Sequence, residues 1–345
     1  MTTDTDSGRL RLPELGWQNT FARQLEIDEY ETATPVRVMA LRRSGLDVRG
    51  EILDQALPPT PGITVGDWLL VAGDPPRLVR RLDRLSVLKR KAPGSDRTAQ
   101  LIAANLDTLF VVTSCNADFN PARLERYLAI AKEAGVTPVI VLTKADLCDD
   151  ADDYRHRAEA LMPGLLAEAI NAKDPDQAAR LRPWCGPGQT VAFAGSSGVG
   201  KSTLLNALVG RPVALTQDIR EDDAKGRHTT THRQMHRLPQ GGWLMDLPGI
   251  RELGLTDVAD GIASVFSDLT DLAMQCRFSD CHHDAEPGCA VQQAIEDGQI
   301  DADRLRRWRK LLAEDLHNSE SPSERRARGK SFARMVKKVK STKDR

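Results

Sequence analysis

Residues 195–202 read GSSGVGKS, a G-x-x-x-x-G-K-S pattern whose residue types suit the binding of a chain of phosphates. Gly195, Gly198 and Gly200 let the backbone curl until successive N–H groups point at phosphate oxygens, with Ser196, Ser197 and Val199 filling the loop between them. Lys201 is placed to reach the β- and γ-phosphates of a nucleotide. Ser202 is placed to ligate Mg²⁺, and Thr203 follows it in the same nucleotide-binding set. Such a loop needs a strand before it and a helix after it. The apolar run Val191-Ala192-Phe193-Ala194 supplies the first and TLLNALVG the second.

Three further segments complete a guanine-nucleotide switch. TPVIVLTKAD (137–146) is a strand ending in Thr143-Lys144-Ala145-Asp146. There the Asp146 carboxylate accepts two hydrogen bonds that guanine donates and adenine cannot, while the Lys144 stem lies along the base. GRHTTTHR (226–233) sits in a polar stretch, so a loop is expected whose Thr230 closes onto Mg²⁺ and the γ-phosphate. GGWLMDLPGI (241–250) is a short strand ending in D-x-P-G. Asp246 would hold Mg²⁺ through water and the Gly249 N–H would sense the γ-phosphate. Strand LDTLFVVTS (106–114) and helix PARLERYLAIAKEAG (121–135) precede TKAD, so strands and helices alternate as in a parallel sheet. The guanine motif precedes the phosphate loop, the reverse of the usual GTPase order. A sheet fixes neighbours in space, not in sequence, so a circularly permuted chain can build the same site.

Six cysteines are present, and three crowd between 276 and 289 in CRFSDCHHDAEPGC. Cys276, Cys281, His283 and Cys289 form C-x4-C-x-H-x5-C, three thiolates and an imidazole, which suits one closed, structural Zn²⁺. This clustering, with no apolar run of membrane-spanning length, leads us to expect a cytoplasmic protein that meets no membrane. Net charge is −1, but residues 324–345 carry ten Lys or Arg against two acidic residues. That tail is either a solubilising end or an arm for RNA phosphates. Helices are expected around the metal segment, with Leu305, Trp308, Leu311, Leu312 and Leu316 as one apolar stripe.

The predicted architecture is multidomain. Residues 1–32 form a flexible leader, and 33–92 a five-stranded OB-like β-barrel that binds RNA. Residues 93–262 form an α/β P-loop GTPase domain with permuted motif order, 263–317 a helical zinc-binding domain, and 318–345 the basic tail. The barrel strands are expected at 36–41, 46–48, 64–72, 77–82 and 86–90, with 93–99 as a linker. Arg37, Arg42, Arg43, Arg80, Arg81, Lys89, Arg90 and Lys91 in these runs suit either an RNA-facing surface or a solvated barrel face.

On these motifs the chain resembles the ribosome small subunit-dependent GTPase A family (RsgA, also called YjeQ) over about residues 33–317. The resemblance implies a GTPase that docks on the small ribosomal subunit late in assembly, is activated there, and leaves after hydrolysis; the expected partners are the small subunit with its rRNA and GTP or GDP, and a monomer is expected. It assigns phosphate and Mg²⁺ roles to Lys201, Ser202, Thr230, Asp246 and Gly249, and base recognition to Lys144 and Asp146. It also selects His283 over His282 as the zinc ligand. Thr143 stands where the family more often has Asn, and Asn171-Ala172 is the candidate support for the guanine keto oxygen. Many GTPases orient the attacking water with a Gln after D-x-x-G, and here that residue is Ile250. The family's substitute, a histidine of the Thr-rich loop, corresponds to His228, so His228, Lys201 and Thr230 form the expected catalytic set. Two other readings are a nucleotide-gated RNA-binding module with incidental hydrolysis and a large-subunit assembly GTPase.

Overall fold

A computed structural model of the chain describes residues 9–91, 99–210, 233–247 and 257–319. His228, Thr230, Gly249, Ile250, most of the 93–99 linker and nearly all of the basic tail lie outside these residues.

The N-terminal strands are β1 (Thr34–Arg42), β2 (Gly45–Arg49), β3 (Asp54–Leu57), β4 (Trp68–Ala72) and β5 (Arg77–Arg81). They pair in the order 3-2-1-4-5, all antiparallel, with no β3–β5 pairing among the described residues. The expected fifth barrel strand, β6 (Val87–Lys91), pairs instead with β7 (Ala99–Ala104) in a separate two-stranded sheet. β3 carries no strand signal in the sequence because DQAL has little apolar alternation.

Residues 9–33 differ from the expected loose leader. Two helical turns, α1 (Asn19–Ala22) and α2 (Glu29–Thr32), lie within it. Leu15 and Phe21 are 0% and 1% exposed, and the Trp17 ring meets Trp68 edge-on at 4.8 Å. These apolar residues follow neither a helical nor a strand period, so periodicity could not reveal them. Arg37 is likewise no surface residue. It is buried and donates to Leu15 O at 2.6 Å and to Asn105 O and Thr190 Oγ1, both at 2.9 Å. Burial lowers its pKa to about 10, the cost of a cationic strut joining three segments.

Beyond β7 the chain alternates as predicted: β8 (Thr108–Ser114), α3 (Pro121–Glu133), β9 (Thr137–Thr143), α4 (Ala151–Glu159), β10 (Leu166–Ala169), α5 (Pro175–Ala178), β11 (Thr190–Ala194) and α6 (Lys201–Val209). β8 is buried throughout, as a central parallel strand requires. Asn120 caps α3 by accepting from the Arg123 N–H, and Pro121 fills the first helical position. β12 (Arg233–Arg237) and β13 (Trp243–Asp246) follow. β10, β9, β8, β11 and β13 run parallel in that order, β12 is antiparallel to β13, and β12 joins β1, giving one 11-stranded mixed sheet.

The C-terminal helices are α7 (Ala259–Val265), α8 (Ser267–Ala273), α9 (Ala290–Glu296) and α10 (Ala302–Ser319). α7 lies hard against α3: a Cβ on Gly261 would stand 2.1 Å from Ala129 O. The boundary expected at 262/263 therefore falls inside a helix, and Val265, Phe266, Val291, Leu305 and Trp308 share one core with Leu124 and Leu128 of α3. Leu312 and Leu316 depart from the expected stripe, at 37% and 53% exposed.

Candidate nucleotide-binding and metal sites

The phosphate loop, the TKAD segment and Asp246 follow the C-terminal ends of β11, β9 and β13. Ligands of parallel α/β sheets bind at that edge. Gly195 has φ +139° and runs so close to β8 that a Cβ would lie 2.2 Å from Val112 O. Gly200, at φ +93°, is the residue before α6 and turns the chain into the helix. Val199 is buried between them, while Ser197 and Gly198 are exposed and Ser196 is half-buried. The Lys201 ammonium curls back to donate to Gly195 O at 2.8 Å and to Ser196 O. It thus occupies the mouth of the loop, where phosphate oxygens are the stronger acceptors. Ser202 and Thr203 sit in the first turn of α6, half-buried and exposed respectively.

The guanine segment is tied directly to this loop. Buried Thr143 places its hydroxyl 2.5 Å from Val199 O and 3.1 Å from Thr113 O, so its single proton serves backbone. Lys144 adopts φ +60° and half-exposed geometry, and Asp146 is exposed in the following turn. The neighbouring loop after β10 approaches through Ala145 N to Ile170 O at 3.3 Å. In that loop Asn171 Oδ1 accepts from Lys173 N at 2.9 Å and Gln177 Oε1 accepts from Asn171 N at 2.8 Å. Asn171-Ala172 is thereby held beside TKAD in a set turn.

Asp246, half-buried at the end of β13, pairs across the strands with Gln234 of β12. Burial raises its carboxyl pKa, and His236 opposes the shift. A divalent cation bound here would oppose that shift and favour the carboxylate.

Cys276, Cys281, His283 and Cys289 place their ligand atoms within 4.8 Å of one another. Cys276 Sγ lies 3.9 Å from Cys289 Sγ, and each of these sulfurs lies 3.5 Å from His283 Nδ1. Tetrahedral Zn–S and Zn–N bonds of about 2.3 and 2.0–2.1 Å give ligand separations of about 3.8 and 3.6 Å, so the cluster fits zinc. Burial lowers the His283 pKa, which favours the neutral imidazole a metal needs. His282 is exposed and outside the cluster, its carbonyl accepting from Arg309. Glu286 fastens the loop by accepting from His282 N at 2.9 Å and Asp284 N at 2.8 Å, and these bonds, led by that from His282, hold its pKa at about 2.

Sequence reasoning missed the connection between this metal segment and the nucleotide domain. The His283 ring lies 5.7 Å from that of Trp308 on α10. One turn earlier, buried Arg304 grips Asp268 at 2.7 and 2.8 Å and approaches Glu125 of α3 at 3.4 Å, while Arg307 bonds the same Glu125 at 2.8 Å. These partners are 179 residues apart in the chain for Arg304 and Glu125, so no local pattern announces them.

A phosphate loop, a TKAD turn and Asp246 on one sheet edge, in reversed chain order, define a P-loop GTPase with circularly permuted motifs. A profile of the RsgA GTPase family matches residues 81–256. Small ribosomal subunit biogenesis GTPase RsgA 2 of Vibrio parahaemolyticus is 49% identical over 335 residues, 96% of this chain and 93% of the relative. Small ribosomal subunit biogenesis GTPase RsgA of Mesorhizobium japonicum is 51% identical over 317 residues, 89% of this chain and 91% of the relative. The crystal structure of YjeQ from Thermotoga maritima aligns with a TM-score of 0.62 at 26% identity, covering 82% of this chain and 99% of that one. YloQ, titled a circularly permuted GTPase, shares the fold with a TM-score of 0.59 at 22% identity, covering 86% and 99%. The chain belongs to the RsgA GTPase family.

Proposed function

We propose that this GTPase is guanine-specific, acts in late maturation of the small ribosomal subunit, and couples its nucleotide state to docking on and release from that subunit. The observation that carries the nucleotide chemistry is the convergence of the phosphate loop, TKAD and Asp246 on one sheet edge. The subunit assignment is supported by the names of relatives that match nearly the whole chain.

In this reading Gly195, Ser196, Ser197, Gly198, Val199 and Gly200 offer backbone donors to the phosphates, with Lys201 swinging from its carbonyl partners onto them. Asp146 reads the base, Lys144 covers it, and Asn171-Ala172 supports the keto oxygen. Ser202, Asp246 and Thr230 hold Mg²⁺, which neutralises charge on the phosphates; Gly249 senses the γ-phosphate. His228 orients the attacking water once RNA docking orders the Thr-rich loop, since Ile250 cannot hydrogen-bond. Cys276, Cys281, His283 and Cys289 hold one structural zinc. Strands β1–β5 are the core of an OB-like RNA-binding domain, their pairing being that of such a barrel short of its β3–β5 closure.

Two binding assays test this reading. GDP is expected to bind far more tightly than ADP, with Asp146→Asn losing that preference. Cosedimentation with small subunits is expected with a nonhydrolysable GTP analogue and to weaken with GDP. Equal binding of GDP and ADP would remove the guanine assignment, and cosedimentation independent of nucleotide would remove the coupling.

A further inference from the structure

Two arginines are anchored on consecutive residues of β7 where β12 begins. Arg233 is the first residue of β12, immediately after residues 226–232 of that segment. It is 6% exposed, and one terminal nitrogen donates to Leu101 O on β7. Its Nε is buried and has no hydrogen-bond partner among the described residues. Arg90 on β6 is in register with Gln100 of β7, and its Nε donates to the Gln100 side chain at 2.8 Å. Gln100 and Leu101 are consecutive, so the two guanidiniums are held at the same end of β7.

Neither has a carboxylate partner among the described residues, although other arginines of this region do. Arg42 pairs with Asp47, Arg80 with Glu29 and Arg84 with Asp67. Burial, then the Arg90 charge, lowers the Arg233 pKa, as expected of a buried cation near a second one. Donors left unpaired in a buried position are costly, and a bound phosphate oxygen is the acceptor that suits them. The surroundings favour a polyanion over a single phosphate. Lys89 beside Arg90 is exposed, and so is Arg43, two residues beyond the Leu41 that pairs with Arg233.

We propose that Arg90 and Arg233 form a binding site for a backbone phosphate of ribosomal RNA, bridging the β6–β7 hairpin to the strand that follows the Thr-rich loop. A phosphate held there fixes one end of that loop, which gives RNA docking a physical handle on the nucleotide switch. The choice of RNA rests on the small-subunit reading.

The test measures affinity of the full-length protein for purified small subunits across a range of KCl, for wild type, Arg90→Gln and Arg233→Lys. Losing one phosphate contact lowers the slope of log affinity against log salt by about 1 and weakens binding by about fivefold. Arg90→Gln is expected to show both changes, with GTP affinity unaltered and a Tm equal to or above wild type because a like charge has gone. Arg233→Lys, which keeps the charge but not the Nε donor, is expected to weaken binding with little change in slope. Wild-type affinity and slope in Arg90→Gln would overturn the site, and so would a lowered Tm with an unchanged slope, which marks a fold support. Failure of wild type itself to bind small subunits would overturn the subunit reading and this site together, a result distinguishable from failure of the site alone.

Discussion

The Thr143 hydroxyl, at the end of β9, donates across 2.5 Å to the carbonyl of Val199 in the phosphate loop. The TKAD turn and the phosphate loop are therefore tied directly together, and the residue that departs from the commoner Asn is the one that joins them. Gly200 faces the same side chain, with its Cβ position 3.4 Å from Thr143 Oγ1.

Thr143→Val keeps the volume and removes the bond. A buried neutral hydrogen bond contributes about 1–1.5 kcal/mol, so GTP and GDP affinities are each expected to fall roughly five- to tenfold. Asp146 is unchanged in this variant, so the preference for guanine over adenine proposed for it is expected to stay intact. Thr143→Ser retains the hydroxyl and restores affinity. Calorimetric titration of the three proteins with GDP and ADP checks this, and a loss of guanine preference in Thr143→Val would show that the hydroxyl faces the base instead.

Asp246 gives a prediction with a definite sign. Burial raises its pKa above the ordinary 3.8, so the folded protein holds this proton more tightly than the unfolded chain. Without bound cation, stability falls as pH rises from 3.8 through the raised value and stays lower at neutral pH. Asp246→Asn should raise the Tm of Mg²⁺-free protein at pH 7, lose that advantage in strong acid, and abolish Mg²⁺-dependent turnover. A lower Tm at pH 7 would mean that the carboxylate is stabilised by protein partners.

The permuted GTPase fold was legible because the segments that mark it are local. The loop GSSGVGKS, the TKAD turn and the DLPG strand each carry their chemistry within a few consecutive residues, and the flanking runs have the periods of strand and helix. The same holds for the Cys/His cluster, whose four side chains fall within fourteen residues. What could not be read depends on partners distant in sequence. Leu15 and Phe21 looked like a leader because their burial is supplied by Trp68, and Arg37 looked like a surface cation because its three acceptors come from residues 15, 105 and 190. β12 is not announced in the sequence because RQMHR has too little apolar character to mark a strand.

The Arg304–Glu125 contact makes the C-terminal helices part of the GTPase core. Glu125 is fully buried, and burial raises its pKa despite Arg307 and Arg304 beside it. Removing one partner of a buried ion pair costs about 3–5 kcal/mol, and here Arg307 compensates in part. Arg304→Met is therefore expected to lower unfolding free energy by about 3 kcal/mol in urea titration, as one transition with the GTPase domain. A separate early transition confined to the C-terminal helices would contradict the shared core.

Zinc removal should be visible at Trp308. One Zn²⁺ per chain is expected by elemental analysis, and chelation should change Trp308 fluorescence as the nearby His283 is released. Cys289→Ser should lose the metal and, because Cys289 also caps α9, lose helical signal. A metal content of zero in protein purified without chelator would remove the structural-zinc assignment.

The most direct measurement is GTP turnover by the purified protein alone, with small ribosomal subunits, and with large subunits. Slow turnover alone and a large rise with small subunits only is expected, and His228→Ala should abolish the rise while leaving GTP affinity unchanged. Turnover that neither subunit accelerates, or that large subunits accelerate equally, would contradict a GTPase that acts on the small subunit.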